Sequence, residues 1–522
     1  MSQAFDLAVI GCGPVGALAA NLAAKAGLSV LVIDREREPH PLPRAVHLDH
    51  EMMRLFQAAG LADVILPGMR ETQGHLHVGA DHGVIRYMGT AGRPKPFGWA
   101  NDYFFYQPEL EDRLREGLAR FANVTLWLGA ELETFEQDAA GVTLHFRHAG
   151  SHEAARASWM IACDGSRSRV RKVLGIALDD LDFEEPWLVV DAEVQGEVTF
   201  PDVWGVPEAA DLQSLSVMLC DPARPTTVVP GRGNLRRWEF MLLPGETDAD
   251  MMRPETVAEL VAPYLAGVPH RIVRAATYRF HGLIAETWRD GRVFLAGDAA
   301  HQTPPFFGQG MCHGMRDAAN LVWKLELVQR GLAPASLLDT YQPERDPHVR
   351  SVVTAAIEAG RYICELDPAR AAARDAGIRA RETSGQAETA ADLIPPYRTG
   401  VVAAQTPGAG ERFVQPWTTR GGRYELLDDV TGGGWRLFTD GVPIEVAERA
   451  IAPLAPVKVS IVDIGALADD GTLERWLRAR GVAAVLVRPD AYVFGTATAD
   501  PAELCRAAAQ ALSLPSQAEV AS

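Results

Sequence analysis

The chain has 522 residues, 47% of them hydrophobic, and its 50 Lys and Arg residues against 68 Asp and Glu residues give a net charge of −18. This length predicts several domains at about 150 residues each, and the mixed composition excludes collagen, coiled-coil and wholly disordered chains. The acidic balance argues against binding to nucleic acid or to anionic membranes, because both partners require basic surfaces.

The cysteines and the amino terminus indicate a compartment. Six cysteines are scattered without any Cys-x-x-Cys pair: Cys12, Cys163, Cys220, Cys312, Cys364 and Cys505. Neither a disulfide framework nor a cysteine-based zinc site is expected, so a reducing cytoplasm is the predicted location. Residues 1–6 lack the basic start of a signal peptide, and no run of about 18 apolar residues predicts a membrane span. We expect no metal centre, no membrane partner and no nucleic-acid partner.

The first 35 residues predict a strand, a turn, a helix and a second strand. Residues 5–10 are an apolar run, and residues 17–26 are an alanine-rich helical stretch that Gly27 is placed to end. Residues 28–33 are a second apolar run rich in β-branched side chains. This order predicts a βαβ unit with a right-handed crossover.

Three glycines stand between the first strand and its helix. Gly11, Gly13 and Gly16 form a Gly-x-Gly-x-x-Gly pattern, which lets the backbone approach a pyrophosphate that faces the free N–H groups of the helix. Asp34 closes the second strand, where a carboxylate can accept hydrogen bonds from both ribose hydroxyls. The alternative is a tight turn with an unrelated surface Asp. The correctly placed strands and helix favour a dinucleotide site.

Beyond this unit the chain alternates predicted helices and strands, with a β-rich region in the middle. The predicted elements are helices at 51–59 and 109–121, strands within 124–162, strands at 187–193, 215–219 and 237–243 in a β-rich region at 183–290, a strand at 292–295, a helix at 315–330, a helix with a linker at 365–415, a new α/β unit from 421 and a helix at 501–512. The pattern predicts an α/β protein of several domains. No internal repeat is visible.

Two acidic turns and a glycine-rich loop follow later predicted strands. Asp164 ends one strand, Asp298 ends another, and residues 308–310 lead into the long helix. A buried Asp after a strand can bind a ribityl hydroxyl, and glycines at a helix start can offer N–H groups to a flavin carbonyl. Each feature alone also fits an ordinary strand-to-loop turn. Their joint order favours a flavin over a nicotinamide nucleotide.

The order of these motifs resembles the group A flavin monooxygenases, the single-component aromatic hydroxylases, over essentially the whole chain. Several stretches are similar to the branch that hydroxylates 3-(3-hydroxyphenyl)propionate and 3-hydroxycinnamate: PRAV at 43–46, FYQP at 105–108, ACDG at 162–165, FMLLPGET at 240–247 and GQGMCHGMRDAANL at 308–321. His47 departs from this pattern, because it stands where a small residue is expected.

The resemblance implies an α/β fold made of a Rossmann-like FAD-binding domain, an interleaved β-sheet substrate domain and a C-terminal thioredoxin-like domain. The implied boundaries are 1–182 for the first part of the FAD-binding domain, 183–290 for the substrate domain, 291–364 for the return of the FAD-binding domain, 365–420 for a helical or linker segment and 421–522 for the thioredoxin-like domain. Thioredoxin chemistry needs a Cys-x-x-Cys pair. We therefore expect the last domain to serve packing or dimerisation, with a homodimer as one expected assembly.

The resemblance also implies a tightly but non-covalently bound FAD. The implied contacts are Gly11, Gly13 and Gly16 at the pyrophosphate, Asp34 at the adenosine ribose, Arg35, Arg44 from the loop after the second strand, Gln107 from a later strand, Asp164, Gly297, Asp298 at the ribityl chain, and Pro305, Gly308, Gln309 and Gly310 beside the isoalloxazine. Asp164 and Arg169 lie where the family serves FAD and the nicotinamide nucleotide together. No second glycine motif is visible, so NADH or NADPH is expected to bind transiently.

The implied activity is hydroxylation of a phenolic acid such as 3-(3-hydroxyphenyl)propionate, ortho to its hydroxyl, with NAD(P)H and O2 through a flavin C4a-hydroperoxide. The alternative is the same chemistry on a different phenol or on a polycyclic or polyketide substrate. A flavin halogenase is disfavoured, because the sequence around Trp238 does not match its W-x-W-x-I-P signature. A non-enzymatic NAD-binding sensor would be colourless, whereas bound FAD is yellow.

His47 is the candidate base that deprotonates the phenol, because a histidine titrates near neutral pH. The alternative is a solvent-exposed histidine or one satisfied in the core. The candidates for substrate contact, with core packing as their alternative, are Tyr103, Tyr106 and His301. Arg316 and Asp317 are predicted to form an ion pair at the helix start rather than a catalytic dyad.

Overall fold

The computed structural model describes residues 4–384 and 394–514. Its helices are α1 (Pro14–Lys25), α2 (His50–Ala58), α3 (Ala62–Ile65), α4 (Gln107–Leu118), α5 (Arg169–Val173), α6 (Asp248–Met251), α7 (Pro254–Val261), α8 (Gly310–Gln329), α9 (Tyr341–Ile363), α10 (Pro368–Ser384), α11 (Leu427–Thr431), α12 (Ile444–Ala450), α13 (Thr472–Arg480) and α14 (Ala502–Ala511). Part of the predicted linker, residues 385–393, lies outside the described residues.

The strands fall into five sheets. They are β1 (Ala4–Ile10), β2 (Val30–Asp34), β3 (His47–Asp49), β4 (Arg70–Glu71), β5 (Gly74–Val78), β6 (Val84–Gly89), β7 (Asp102–Phe104), β8 (Val124–Leu128), β9 (Ala130–Asp138), β10 (Gly141–His148), β11 (Ser151–Ala162), β12 (Leu178–Val194), β13 (Ser216–Leu219), β14 (Thr226–Pro230), β15 (Leu235–Met241), β16 (His270–Ala285), β17 (Arg289–Asp290), β18 (Val293–Leu295), β19 (His301–Gln302), β20 (Trp417–Arg420), β21 (Arg423–Leu426), β22 (Arg436–Thr439), β23 (Ser460–Asp463), β24 (Ala484–Val487) and β25 (Val493–Ala497). The five sheets are counted in the described residues only.

The first sheet carries the dinucleotide-binding unit. Its strands run in the order β17-β18-β11-β1-β2-β8, and β1 pairs in parallel with both β2 and β11. Helix α1 is rich in alanine, which allows close packing, and its inner face is fully buried. In the register, Ile10 is level with Ala162, and Ala162 is level with Leu295. The turns after β1, β11 and β18 therefore lie side by side at the carboxyl edge, where such sheets bind ligands.

The second sheet has the order β19-β16-β12-β15-β14-β13-β5-β6. One face packs on α6 and α7 through a core that contains Leu188, Val190 and Trp238. Strand alternation turns Val189, Asp191 and the other intervening side chains towards the first sheet. Strands β5 and β6 come from residues 74–89, and β12 begins at Leu178, so this sheet also draws on chain that precedes residue 183.

The C-terminal region forms a four-stranded sheet in the order β23-β22-β24-β25. Strands β22 and β23 are parallel and the other pairs are antiparallel, the order of a thioredoxin-like sheet. Trp323 and Leu327 of α8 share one core with Trp435 and Leu437 of this region. The thioredoxin-like domain is thus packed on the helix that follows the glycine-rich loop, and the predicted fold class is confirmed.

Several local predictions can be compared with the structure. Gly27 has a φ of +88° and ends α1 as predicted, and Gly331, with a φ of +69°, follows the end of α8. Gln107 was predicted on a strand but is the first residue of α4, because Pro108 favours the first turn of a helix. All six cysteines lie in the described residues and none is paired there. Among the described helices, none has both the length and the apolar character that crossing a bilayer requires.

Candidate functional site

The glycine loop after β1 forms a cradle at the start of α1. A Cβ atom on Gly11 would lie 2.4 Å from the Cys163 carbonyl oxygen, and one on Gly16 would lie 1.9 Å from the Gly11 carbonyl oxygen. A Cβ on Gly13 would meet no described atom within 4 Å, so this side of the loop is open. Gly13 is the N-cap of α1, and no described side chain caps the helix. Its free N–H groups and helix dipole therefore suit an anion.

Asp34 holds this loop from the end of β2. Its Oδ2 atom accepts a hydrogen bond of 2.6 Å from the Cys12 N–H, and Oδ1 accepts one of 2.8 Å from the Glu36 N–H. Arg115, which the sequence did not single out, donates from Nε to the Cys12 carbonyl at 3.0 Å and lies 3.8 Å from Asp34. Arg35 is mostly exposed and pairs with Glu36. Asp34 thus lies at the edge of the cradle, as the motif predicts.

The two acidic turns line the same cleft. Asp164 accepts a 3.1 Å hydrogen bond from the Val170 N–H through Oδ2, while its Oδ1 atom is buried with no partner in the described chain. Asp298 is exposed to the cleft, yet protein surrounds it, and this burial raises the pKa of its carboxyl against the opposing charge of Arg44. Arg169 is exposed at the start of α5. The carboxylate oxygens of Asp164 and Asp298 can therefore accept hydrogen bonds from the hydroxyls of a ribityl chain or a ribose.

Gln107 fixes the segment that carries Arg44. Its Oε1 atom accepts hydrogen bonds from the N–H groups of Arg44 and Ala45 at 2.9 and 2.7 Å. Its Nε2 atom donates to Glu111 at 2.6 Å. Arg237 donates to the carbonyl oxygen of Arg44 at 2.7 Å. Both polar atoms of Gln107 are therefore engaged within the protein, and its direct contact with FAD stays a prediction.

The glycine-rich loop leads into α8 beside the first cradle. Residues 305–307 form a 3-10 turn, and Gly308 follows with φ +62°. No described side chain caps α8, which begins at Gly310. A Cβ on Gly314 would lie 2.5 Å from Val15 Cγ2 and 2.8 Å from Gly297 Cα, so α8 and α1 pack closely. Two uncapped helix starts and the cleft carboxylates are thus held together, an arrangement that fits FAD along the predicted contacts.

His47 lies against this loop. It is buried on β3, and its Nε2 atom is 2.9 Å from Asp102 Oδ1. Its Nδ1 atom is buried beside the Gly308 backbone, without a well-aligned hydrogen bond to any described residue. A Cβ on Gly308 would stand 2.7 Å from Nδ1. Burial opposes protonation, but the hydrogen bond and charge of Asp102 raise the pKa of His47 above its usual value.

Two further histidines continue the wall of the cleft on β5. The His75 ring centroid is 5.4 Å from that of His47. His77 Nδ1 is 2.6 Å from the Tyr362 hydroxyl. His75 Nδ1 and His77 Nε2 are buried and find no partner within residues 4–384 and 394–514. Burial lowers the pKa of His75 to about 4 and that of His77 well below its usual value, so both rings are neutral. The alternation in Gly-His-Leu-His-Val at 74–78 was the sequence signal for them.

A row of cross-strand partners extends this wall. His77 is level with Met218, Met218 with Thr227, and Thr227 with Glu239. Glu239 is half-buried, and burial raises the pKa of its carboxyl while Arg237 opposes the shift. The cleft face of the second sheet is therefore lined by neutral imidazoles, a thioether, a hydroxyl and an acid.

His47, His75 and Asp102 also place ligand atoms within 4.8 Å of one another. Two imidazoles and one carboxylate are groups that a divalent metal can use. The sequence predicts no metal centre, and that expectation stays a prediction.

The three predicted substrate contacts lie in different surroundings. Tyr103 is buried, and its hydroxyl accepts a 2.9 Å hydrogen bond from the Ala100 N–H. His301 is buried with Nε2 2.7 Å from Asp317 Oδ2. The Nδ1 atom of His301 is buried and has no partner in the described residues. The substrate roles of Tyr103 and His301 stay predictions. Tyr106 is half-buried and donates to the Pro41 carbonyl at 3.3 Å, and its role stays a prediction.

The predicted ion pair between Arg316 and Asp317 is wrong. Arg316 donates to Asp49 and Glu51, whereas Asp317 accepts from Arg345 at 2.8 Å and from the Gly297 N–H at 3.0 Å. Neighbouring helical residues point about 100° apart, so the two side chains face different neighbours of α8.

Comparison with known proteins finds similarity over nearly the whole chain. The family described as FAD binding domain matches residues 4–356, and the HcaD C-terminal domain matches residues 410–512. The chain is 36% identical to the probable NADH-specific resorcinol 4-hydroxylase of Rhodococcus jostii (strain RHA1), over 96% of this chain and 93% of the relative. It is 32% identical to the 3-(3-hydroxy-phenyl)propionate/3-hydroxycinnamic acid hydroxylase of Klebsiella pneumoniae (strain 342), over 94% and 91%. The crystal structure of the flavin-dependent monooxygenase PieE in complex with FAD and substrate matches with a TM-score of 0.82 and 25% identity, over 98% and 99%.

Proposed function

Because the chain belongs to the FAD-dependent aromatic hydroxylases, we propose that it hydroxylates a small phenol with NADH and O2 and that His47 is the base. The observation that supports this proposal is the His47–Asp102 pair, which lies directly against the Gly308 segment. The overall reaction consumes one phenol, one NADH, one proton and one O2, and it yields the ring-hydroxylated product, NAD+ and water.

FAD, when bound, supplies the chemistry that takes up reducing equivalents from NADH and activates O2. Gly11, Gly13 and Gly16 would bind its pyrophosphate at the open start of α1, and Asp298 would bind its ribityl chain. Residues 308–310 would offer backbone N–H groups to the ring system. The protein's contribution to the reaction is to orient these groups and to exclude water from the cleft.

The proton chemistry belongs to His47. With its Nε2–H donated to Asp102, His47 keeps a lone pair on Nδ1 that can take the proton of the phenol. The negative charge of Asp102 then stabilises the imidazolium, and the phenolate ring becomes more nucleophilic. Nδ1 is closed to solvent beside Gly308, so a phenol that reaches it must displace this segment. The displaced Gly308 segment would then cover the bound phenol and keep water away from the reacting ring.

The substrate class follows from the groups beside His47. His75 and His77 offer buried, neutral nitrogens, which suit a second hydroxyl better than a carboxylate. Glu239 and Asp102 would repel an anion. A dihydroxybenzene of the kind named for the Rhodococcus relative is therefore the favoured substrate. This choice replaces the phenolic acid that the sequence favours.

A phenolic acid, as named for the Klebsiella relative, is the second candidate. Arg274 supports it, because its Nε and Nη2 atoms are buried and find no partner in the described part of the chain. Its Nη1 atom donates to the Pro43 carbonyl at 2.6 Å, so the guanidinium lies next to the cleft. The neighbouring Arg237 is engaged by Asp191 and carries no such free donors.

The test is a comparison of substrates. The purified protein should be yellow, and NADH oxidation should be measured with resorcinol, phenol and 3-(3-hydroxyphenyl)propionate, with the product and hydrogen peroxide assayed in each case. We expect resorcinol to give the largest coupled stimulation. If the protein prefers 3-(3-hydroxyphenyl)propionate, the second candidate, a phenolic acid, is the substrate class. No coupled product from any phenol would refute the proposed function.

A further inference from the structure

We propose that the thioredoxin-like domain is a positioning part of the flavin site, because Tyr492 and Arg412 hold Glu51, which in turn holds Arg316 and the Gln309 segment. This inference rests on the FAD site and not on the identity of the phenol. It gives a specific role to a domain whose lack of a Cys-x-x-Cys pair excludes thioredoxin chemistry.

Arg316 is the centre of the connection. It stands on α8, two turns after the glycine-rich loop, and is almost completely buried. Its Nη1 atom donates to Gln309 Oε1 at 3.2 Å. Its Nη2 atom donates to Asp49 Oδ2 at 2.5 Å, and Nε donates to Glu51 Oε2 at 2.6 Å. One guanidinium therefore fixes the loop residue Gln309 against the segment that follows His47.

Glu51 connects this guanidinium to the C-terminal domain. Its Oε2 atom accepts a 3.1 Å hydrogen bond from Arg412 Nη1 and a 3.2 Å hydrogen bond from the Tyr492 hydroxyl. Tyr492 is 441 positions away in sequence and is buried against Tyr397, with ring centroids 4.4 Å apart. Two of the three donors to this oxygen thus come from residues 410–512, the matched C-terminal domain.

The charges of the cluster balance only when the domain is in place. Burial opposes ionisation of Asp49 and Glu51, but the positive charge of Arg316 outweighs it. The pKa of each carboxyl therefore lies below its usual value, and both side chains are anionic. Arg316 and Arg412 provide two positive charges. His50 is neutral, since burial and Arg412 lower its pKa to about 4. Loss of the Arg412 charge would leave one uncompensated carboxylate buried beside the flavin loop.

An uncompensated negative charge at this place has a defined consequence. Reduction adds electrons to the isoalloxazine, and a nearby buried anion disfavours that charge. A loosened Gln309 segment would also bind FAD less tightly and would admit water. The domain should therefore influence FAD affinity, the flavin reduction potential and the coupling of NADH oxidation to hydroxylation.

The test is the holoenzyme with Tyr492→Phe, which removes one hydroxyl and keeps the ring packed on Tyr397. We expect the Kd for FAD to rise roughly 3-fold to 10-fold. This range corresponds to the free energy of one hydrogen bond to a charged group, of which only a part is transmitted to FAD binding. The reduction potential should become slightly more negative, because the Glu51 carboxylate loses a donor that offsets part of its charge. More NADH should be lost as hydrogen peroxide. The matched control is Tyr424→Phe, because this tyrosine of β21 is 67% exposed.

Two outcomes would contradict the inference. A second pair of variants, at Arg412, keeps the test informative if Tyr492→Phe does not fold. If Tyr492→Phe lowers only the melting temperature and leaves FAD affinity, potential and peroxide yield unchanged, the domain is merely structural. Arg412→Lys should retain the wild-type potential, because it keeps the positive charge, whereas Arg412→Gln removes that charge and should shift the potential further than Tyr492→Phe does. Equal potentials in both Arg412 variants would overturn the inference even if Tyr492→Phe failed to fold.

Discussion

Asp102 accepts a hydrogen bond of 2.9 Å from His47 although the two residues are 55 positions apart in sequence. The contact exists because His47 pairs with Phe104 and Asp49 pairs with Asp102 in the antiparallel ladder of β3 and β7, which places both side chains on one face. A carboxylate in this position fixes the ring orientation and the protonated nitrogen. The proposed base is therefore a pair of residues rather than a lone histidine.

Asp102→Asn should lower kcat roughly 100-fold, at the lower end of what a positioned base contributes. The pH profile of activity should also change, in a direction that follows from the role of Asp102. Asp102 raises the pKa of His47, and the base is active when neutral, so activity is lost as the pH falls through that pKa. Removing the carboxylate charge should move the acid limb of kcat/KM to lower pH. Profiles of the wild type and the variant, measured with saturating NADH, check this.

The double variant of Asp102→Asn with His47→Gln provides the control for that prediction. If the two side chains act as one unit, adding Asp102→Asn to His47→Gln should reduce kcat little further. An unchanged acid limb in Asp102→Asn, or fully additive losses in the double variant, would contradict the assignment of the pair as the base.

His75→Leu should change substrate preference rather than chemistry. The variant removes a neutral hydrogen-bonding nitrogen from the cleft wall, which is worth about 1 kcal/mol. KM for resorcinol should therefore rise about 5-fold to 10-fold, while KM for phenol should stay near its wild-type value. Steady-state kinetics with both substrates measure the difference. Since the pKa of His75 is about 4, the variant should leave the pH profile above pH 6 unchanged. An equal rise for both phenols would assign His75 to packing instead.

Much of the fold and of the cofactor cradle could be predicted from the sequence, because local patterns determine them. Each motif of the cradle follows a strand that can be predicted from its own local sequence. These motifs are the glycines at 11, 13 and 16 and the acids at 164 and 298. The partners of His47 could not be predicted in this way. Asp102 and His75 reach it only through the pairing of β3 with β7 and the placement of β5, which are non-local. The register of separate strands has no signature in any one segment.

The error at Arg316 has the same origin. Arg316 was assigned to its neighbour Asp317, but its partners Asp49 and Glu51 lie 267 and 265 positions away. The structure buries the His301 ring against Trp288, with centroids 5.2 Å apart, and its contact with the substrate stays a prediction. The expected homodimer stays a prediction.

Gly308→Ala should impair the site in two ways. At φ +62° an alanine costs about 1–2 kcal/mol in backbone strain, and its Cβ would stand 2.7 Å from His47 Nδ1. We expect kcat to fall at least as far as it does in Asp102→Asn, because the new methyl group would crowd the His47 ring at the nitrogen that takes the proton. Kinetics and thermal unfolding should be measured together.

Gly331→Ala is the matched control for that substitution. Its φ is +69°, and a Cβ there would meet nothing within 4 Å in residues 4–384 and 394–514. It should cost similar stability without loss of kcat. Equal losses of kcat in the two variants would show that backbone strain alone, and not the contact with His47, explains the effect at Gly308.

Glu344→Gln should destabilise the junction of the two domains. The Glu344 carboxylate accepts from Lys324 at 3.0 Å and from Arg488 at 2.8 Å, and all three side chains are fully buried. Removing one member of a buried ion network leaves charge uncompensated and costs about 3–5 kcal/mol. Thermal or urea unfolding at pH 7 should therefore detect a large loss, whereas Glu474→Gln, in an exposed pair with Arg478, should cost less than about 1 kcal/mol.

The pH dependence of stability tests the same network independently. Burial opposes ionisation of Glu344, but Arg488 and Lys324 outweigh it and lower its pKa to about 2. A carboxyl with a lowered folded-state pKa stabilises the protein above its unfolded pKa, near 4.5, and this stabilisation is lost as the pH falls from there to about 2. The free energy of unfolding of the wild type should decrease steeply across that window, and the slope should be shallower in Glu344→Gln. Identical slopes would mean that Glu344 is not a carboxylate that the fold keeps ionised.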